Sequence, residues 1–223
     1  RDNLPGLEFR RVLFRSYRIH PRIAALAAEI APYREAPEGK PQAPAPPRSD
    51  ADGFRGDEAL AEWYNPPWGG MGPLLMVDTG PSKAWITRLA GPDPCDGFNF
   101  LSAALCVSAA RALLRDGRPS PAPGDDPRVL ILAPYAAHAA LVDLLLRQAG
   151  LADDVRAGTP ESLYDLRAPV VILDLVEDDP FSGAPVYRPS ADPLTRRRIS
   201  DCLARAHSRL VVVGNFEIGR AHV

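Results

Sequence analysis

The sequence predicts an α/β domain of three layers built on a mainly parallel sheet, and three observations carry that prediction. Aliphatic runs recur at strand length, at 74–77, 129–132, 170–176 and 210–213. The run at 170–176 is apolar almost throughout, the pattern of a strand covered on both faces. Between the runs lie stretches with apolar residues at helical spacing, above all 98–115 and 134–150. Strands that alternate with helices favour parallel pairing, because each crossover lays its helix on a sheet face.

Each element has a local reason. In 19–30, Ile23, Leu26, Ala27 and Ile30 share one helical face, and Pro21 suits a first turn, where its missing N–H costs nothing. The stretch 32–47 holds six prolines and Gly39, so the wider segment 32–70 is read as an irregular, proline-rich insertion with one helical turn at 57–63. The strand at 74–77 runs into Asp78-Thr79-Gly80-Pro81, a turn. The helix 98–115 stops at Asp116-Gly117, and the loop 119–127 leads to the strand 129–132. Pro134 opens the next helix, which ends at Gly150. A short strand at 155–157, the buried strand 170–176, a helix over 196–207 and a last strand at 210–213 complete the order, with no internal repeat.

The chain has 223 residues, 46% hydrophobic and 24% charged, with net charge −2. Those values exclude collagen-like, fibrous and wholly disordered classes. No apolar run approaches the ~20 residues that a membrane-spanning helix requires, so no membrane partner is expected. Cys95, Cys106 and Cys202 lie far apart without a Cys-x-x-Cys pair. They read as buried or incidental thiols of a reducing, cytoplasmic protein, and no metal site is expected.

The two ends read as artefacts. RVLFRS at 11–16 can be encoded as CGT GTG CTC TTC CGA TCT. Read from its third base, the reverse complement encodes IGRAH, and the chain ends in IGRAHV at 218–223. Head and tail are therefore translations of opposite strands of one oligonucleotide, similar to a sequencing adapter whose upstream bases extend the match to 7–16. Residues 1–16 are expected to be an untrusted leader, 218–223 an artefactual tail, and 17–217 a single domain cut from a longer reading frame. The leader carries net charge +2 and the tail +1, so the remainder carries −5.

Within that remainder four stretches occur in order: YRIHP at 17–21, VLILAPY at 129–135, GTPESLYDLRAPVVILDLV at 158–176 and RRISDCLARAHSRLVVVGN at 197–215. Together they resemble the second RecA-like domain of superfamily-one DNA/RNA helicases, in the branch of the nonsense-mediated-decay helicase. That family carries Y-R-M-H-P, a strand ending T-P-Y, G-T-x-x-x-x-Q-G-x-E before V-V-I-L, and R-L-N-V-A-L-T-R-A before a valine-rich strand. The resemblance spans 17–215 and implies a RecA-like fold of the P-loop NTPase type.

It also implies a division of labour. In such enzymes ATP and its Mg2+ are bound mainly by an N-terminal RecA-like domain of the same polypeptide, while the second domain brings arginines onto the γ-phosphate. A planar, permanently charged guanidinium grips two phosphate oxygens at once. By position those arginines are Arg18 and Arg205, the implied catalytic and nucleotide-binding residues. The family also holds single-stranded DNA or RNA across both domains, and Pro134, Tyr135, Gly158, Thr159 and Ser162 stand at the matching positions. Gly158 lets the backbone approach a phosphate, and the three hydroxyls can donate to one.

The chain departs from the pattern at Tyr164, Asp165 and Arg167, where the family has glutamine, glycine and glutamate, and at Ser200 and Ala204, where it has asparagine and threonine. Ala136 and His138 replace the arginine and glutamine after T-P-Y. Those positions couple nucleotide state to nucleic-acid grip. No G-x-x-x-x-G-K-[ST] loop occurs, so this chain is not expected to be an ATPase alone. A degenerate module that binds nucleotide, nucleic acid or protein without unwinding is the alternative, and a stand-alone α/β module with coincidental motifs is a third reading.

Other residues read more plainly. Trp63, Tyr64 and Trp68 are expected to cover an apolar sheet edge rather than to stack bases. His20 reads as a packing or capping histidine rather than a metal ligand, and Asp174 as an ordinary end of a buried strand. Ser102, His138 and Asp143 read as helix-surface residues, there being no G-x-S-x-G elbow. Residues 177–179, Glu-Asp-Asp, read as a solvated acidic loop.

Overall fold

The aliphatic runs resolve into five strands that share one sheet. A computed structural model describes residues 20–30, 73–89, 96–115, 126–178 and 199–215. In chain order these form α1 (Pro21–Ile30), β1 (Leu74–Asp78), β2 (Thr87–Arg88), β3 (Gly97–Phe98), α2 (Phe100–Leu113), β4 (Val129–Leu132), α3 (Ala136–Gln148), β5 (Val155–Gly158), β6 (Ala168–Asp174) and β7 (Ala206–Gly214). A 3-10 turn at Gly80–Ser82 follows β1, and residues 199–203 are helical. The large sheet has the order β1-β7-β6-β4-β5 and every pairing in it is parallel. Strands β2 and β3 form a small antiparallel ribbon.

Strand alternation divides the core cleanly. Val129 and Ile131 of β4, Val170 and Ile172 of β6, and Val211 and Val213 of β7 face the helix side built by α2 and α3. Their neighbours Leu130, Leu132, Val171, Leu173 and Leu210 face α1 and the helical residues Cys202 and Leu203. The result is three layers, helices on both faces of a parallel sheet, which is the α/β class that the sequence predicts. Each fully buried Val, Leu or Ile contributes about 1.5–3 kcal/mol relative to exposure, so the central strands anchor the domain.

The placement of helices follows from the handedness of parallel crossovers. From β4 the chain steps outward to β5, carrying α3; from β6 it steps the opposite way to β7, carrying 199–203. Crossovers of one hand that step in opposite directions must use opposite faces. That is the arrangement found, since α3 and 199–203 pack on different sides.

Several boundaries differ from the sequence reading. The helix expected through 207 gives way by Ala206, where β7 begins, and the strand expected over 210–213 is nine residues long. Polar His207, Ser208 and Arg209 disguised its start. They are drawn into the sheet by pairing with β6 across an irregularity between Ala168 and Val170. Strand β6 likewise begins two residues early, at Ala168, and ends at Asp174. Helix α3 begins at Ala136 rather than at Pro134; Tyr135 is its extended N-cap residue, at φ −111° and ψ 132°. The insertion 32–70, its turn at 57–63 and the residues Trp63, Tyr64 and Trp68 lie outside the described residues, as do both ends. No described helix is long and apolar enough to cross a membrane.

Candidate functional site

Strand order points to one edge of the sheet. From β4 the chain goes to β5 on one side and then returns to lay β6 on the other. In open parallel sheets such a reversal leaves a crevice outside the carboxyl ends of the strands, the usual place for a ligand. Here β4 runs into Ala133-Pro134-Tyr135, β6 into 175–178, β7 into Asn215 and β1 into Thr79, and these ends are joined by three polar networks.

The innermost network centres on Asp174, which is completely buried. Its Oδ2 accepts from His138 Nε2 at 2.8 Å and from the Cys106 thiol at 3.2 Å, and its Oδ1 accepts from the backbone N–H of Val176 at 2.9 Å. The Asn99 N–H donates to His138 Nδ1 at 3.2 Å. Since Nδ1 accepts, Nε2 bears the ring proton and donates to the carboxylate. Burial, with the Asp174 carboxylate beside it, pushes the Cys106 thiol well up, so it remains a protonated donor. Asn99 also caps α2, accepting from Ser102 N at 3.1 Å, and its amide donates to the Val176 carbonyl at 3.1 Å. One buried carboxylate thus ties β6 to α2 and α3, as a buried charge requires.

The middle network leans on a strained turn. Val176 has φ 65°, and Glu177 N donates to Leu175 O at 2.7 Å, closing a three-residue turn around it. That is the uncommon γ-turn, and positive φ is costly for a β-branched residue. The bonds from Asp174 and Asn99 to the Val176 backbone hold it in place. The turn delivers Glu177 to Arg88, whose Nη2 lies 3.0 and 2.8 Å from its two carboxylate oxygens. The Tyr135 hydroxyl donates to the same carboxylate. The guanidinium carbon stands 5.3 Å from the centre of the Tyr135 ring, within cation–π range. Burial, reinforced by the bond to Glu177, raises the phenol above its ordinary range, so Tyr135 keeps its proton. Burial works against the charge of Arg88, but its bonds to Tyr135 and Glu177 outweigh that, and its proton is held more tightly.

The third network closes the edge. Asp178 accepts from the Thr79 hydroxyl and from the Asn215 amide, each at 2.9 Å, so the ends of β1, β6 and β7 are cross-linked. Nearby, Asp96 accepts from Ala137 N at 3.3 Å, placing a carboxylate at the positive end of α3.

Beyond β5 the chain makes a tight turn. A Cβ on Gly158 would sit 2.6 Å from the side chains of Leu163 and Ser162, so only glycine fits. Thr159 N donates to Ser162 Oγ at 2.9 Å and Ser162 N to Thr159 Oγ1 at 3.2 Å, a reciprocal box, while the Ser162 hydroxyl donates to Thr159 O at 3.0 Å. Arg205, at the amino end of β7, reaches this turn: Nη1 donates to Leu163 O at 2.7 Å and Nη2 to Pro160 O at 2.8 Å.

The residues singled out in the sequence therefore fall into groups. Pro134 and Tyr135 end β4, and Gly158, Thr159 and Ser162 end β5, at one edge of adjacent strands. Arg205 stands at the amino end of β7 and is joined to the second group through its side chain. Arg18 lies outside the described residues; His20 donates its backbone N–H to His207 O at 2.9 Å, beside the start of β7. His20 accepts from Arg22 N at the start of α1, a capping role. Of the departures, Tyr164, Asp165 and Arg167 are exposed on the turn, whereas Ser200 is buried and donates to Ala27 O at 3.0 Å. Among the described residues no group of three or more His, Cys, Asp or Glu is disposed to hold a metal ion, and none supplies a phosphate loop.

Two expectations are corrected. Ser102 and His138 are buried, not on helix surfaces, because their polar atoms are engaged by Asn99 and Asp174; only Asp143 lies outward, paired with Arg147. Glu177 and Asp178 are buried and paired rather than solvated, because cations and donors from β1, β2 and β7 converge on them. Asp174 is the buried end of β6, as the sequence reading has it, and is also the centre of a network. Arg88 went unnoticed in the sequence: it sits in a two-residue strand, and its partner is 89 positions away. Compared with known proteins, the chain matches no protein-family model and no curated sequence.

Proposed function

We propose that residues 17–217 are the second RecA-like half of a cytoplasmic superfamily-one helicase-like ATPase. It would supply Arg18 and Arg205 to ATP and Mg2+ held mainly by an N-terminal RecA-like domain of the same polypeptide, and form part of a track for single-stranded DNA or RNA. Bound ATP would supply the anionic γ-phosphate that the arginines complement. One observation supports this reading above the rest. Arg205, the arginine of the last motif, donates both terminal nitrogens to the turn that carries Thr159 and Ser162. Movement of that guanidinium toward a nucleotide would release the turn, so nucleotide and strand-binding residues share one mechanical link.

The alternative, a module that binds without unwinding, draws support from the same geometry. The Arg205 guanidinium and the Tyr135 hydroxyl both have intramolecular partners, and the coupling positions are altered. The gene upstream of Tyr17 separates the readings. The helicase-like ATPase requires a G-x-x-x-x-G-K-[ST] loop and an acidic magnesium-binding strand there. A natural start near Tyr17 with neither would leave only the binding module.

A further inference from the structure

We propose that Arg88 and Tyr135 form an anion site at the carboxyl edge of the sheet, that the Glu177 carboxylate fills it from within, and that a phosphate oxyanion displaces Glu177 when ligand arrives. The identification of that oxyanion with a nucleic-acid backbone rests on the function proposed above; the anion site itself does not.

A guanidinium Nη2 within 3.0 Å of two carboxylate oxygens, with a phenol hydroxyl on the same group, is the donor set that recognises a phosphate oxyanion. Position agrees, since the pair lies at the strand-order reversal beside the amino end of α3, a thirteen-residue helix. The third reason is strain. Glu177 reaches the pair only through the γ-turn at Val176, whose φ of 65° suits no β-branched residue. A carboxylate held by a strained turn is a weaker occupant than an unstrained one, because its release lets the backbone relax. The site is thus guarded by a segment with a reason to leave, and Arg88 lies on the two-residue ribbon strand β2 rather than on a central strand.

The test uses the whole chain with Glu177→Gln, Arg88→Ala and the double variant, titrated by fluorescence competition with inorganic tripolyphosphate, a single-stranded 15-nucleotide oligonucleotide and ATP. Removing the internal anion should tighten tripolyphosphate binding about tenfold, the equivalent of ~1.4 kcal/mol, and adding Arg88→Ala should abolish the gain. Glu177→Asp, which keeps the charge but draws it back by one methylene, should tighten binding in the same direction by a smaller factor and serves if Glu177→Gln does not fold. The proposal is overturned if these variants fold and bind tripolyphosphate no more tightly than the unaltered chain, or if the gain survives without Arg88. A gain shared by the oligonucleotide identifies a backbone phosphate, and a gain shared only by ATP identifies a nucleotide. If tripolyphosphate gains while the oligonucleotide binds no variant, the anion site stands and the nucleic-acid track falls.

Discussion

The carboxyl end of β6 and the turn that follows β5 are built on opposite plans. At β6, Asp174 and Asp178 are buried on either side of the strained turn that carries Glu177, and each joins elements far apart in sequence: Asp174 reaches Cys106, 68 positions away, and Asp178 reaches Thr79, 99 away. The turn after β5 is local. Thr159 and Ser162 satisfy each other three residues apart, and the distant Arg205 side chain donates to the turn's carbonyls. The first region is a rigid hub, costly to disturb because each lost partner strands a buried polar group. In the second, Arg205 supplies two bonds from a distant element.

The contrast can be broken at its strong end first. Asp174→Ala leaves the His138 ring N–H, the Cys106 thiol and the Val176 N–H without their shared acceptor, and should lower unfolding free energy by about 3–5 kcal/mol. Urea denaturation of the variant beside the unaltered chain would show it, and a loss under 1 kcal/mol would mean that the hub is not a hub. Gly158→Ala forces a Cβ to within 2.6 Å of Leu163 and Ser162. Its expected cost is about 2 kcal/mol, accompanied by faster amide exchange confined to the turn after β5. The Cys106 thiol, pushed up by burial and by Asp174, should resist iodoacetamide at pH 8 and react only on unfolding; rapid labelling of the native chain would show that the hub opens. Smallest is Gly150→Ala. Gly150 has φ 69° with nothing near its missing Cβ, so only the left-handed backbone is penalised, by about 1 kcal/mol, and Gly150→Asn should recover part of that in a thermal melt.

How legible these regions were differs for the same reason. Local order shows in sequence: the aliphatic run marks the 129–132 strand at its true limits. Periodicity also marks 98–115 and 134–150 as helices, which the structure shortens by two residues at each end to 100–113 and 136–148. The hub was invisible because nothing in the sequence near His138 announces a carboxylate 36 residues away, and an acidic Glu-Asp-Asp run normally reads as solvated. Strand β7 was cut short for a related reason. His207, Ser208 and Arg209 look like a helix end until pairing with β6 draws them in. Arg88 lay in an element of two residues, too short for any periodicity to reveal.

The central claim is that Arg205 serves a nucleotide held by another domain as well as the turn it fastens here. The most direct measurement is steady-state ATP turnover by the full-length polypeptide, with and without Arg205→Ala, each variant checked for cooperative unfolding. The account predicts that turnover falls by a factor of about 10³ or more, the range for an arginine that stabilises charge on a transferring phosphoryl group, while the domain remains folded. Turnover unchanged in a folded Arg205→Ala variant would contradict it and leave Arg205 as a fastener of the 158–163 turn alone.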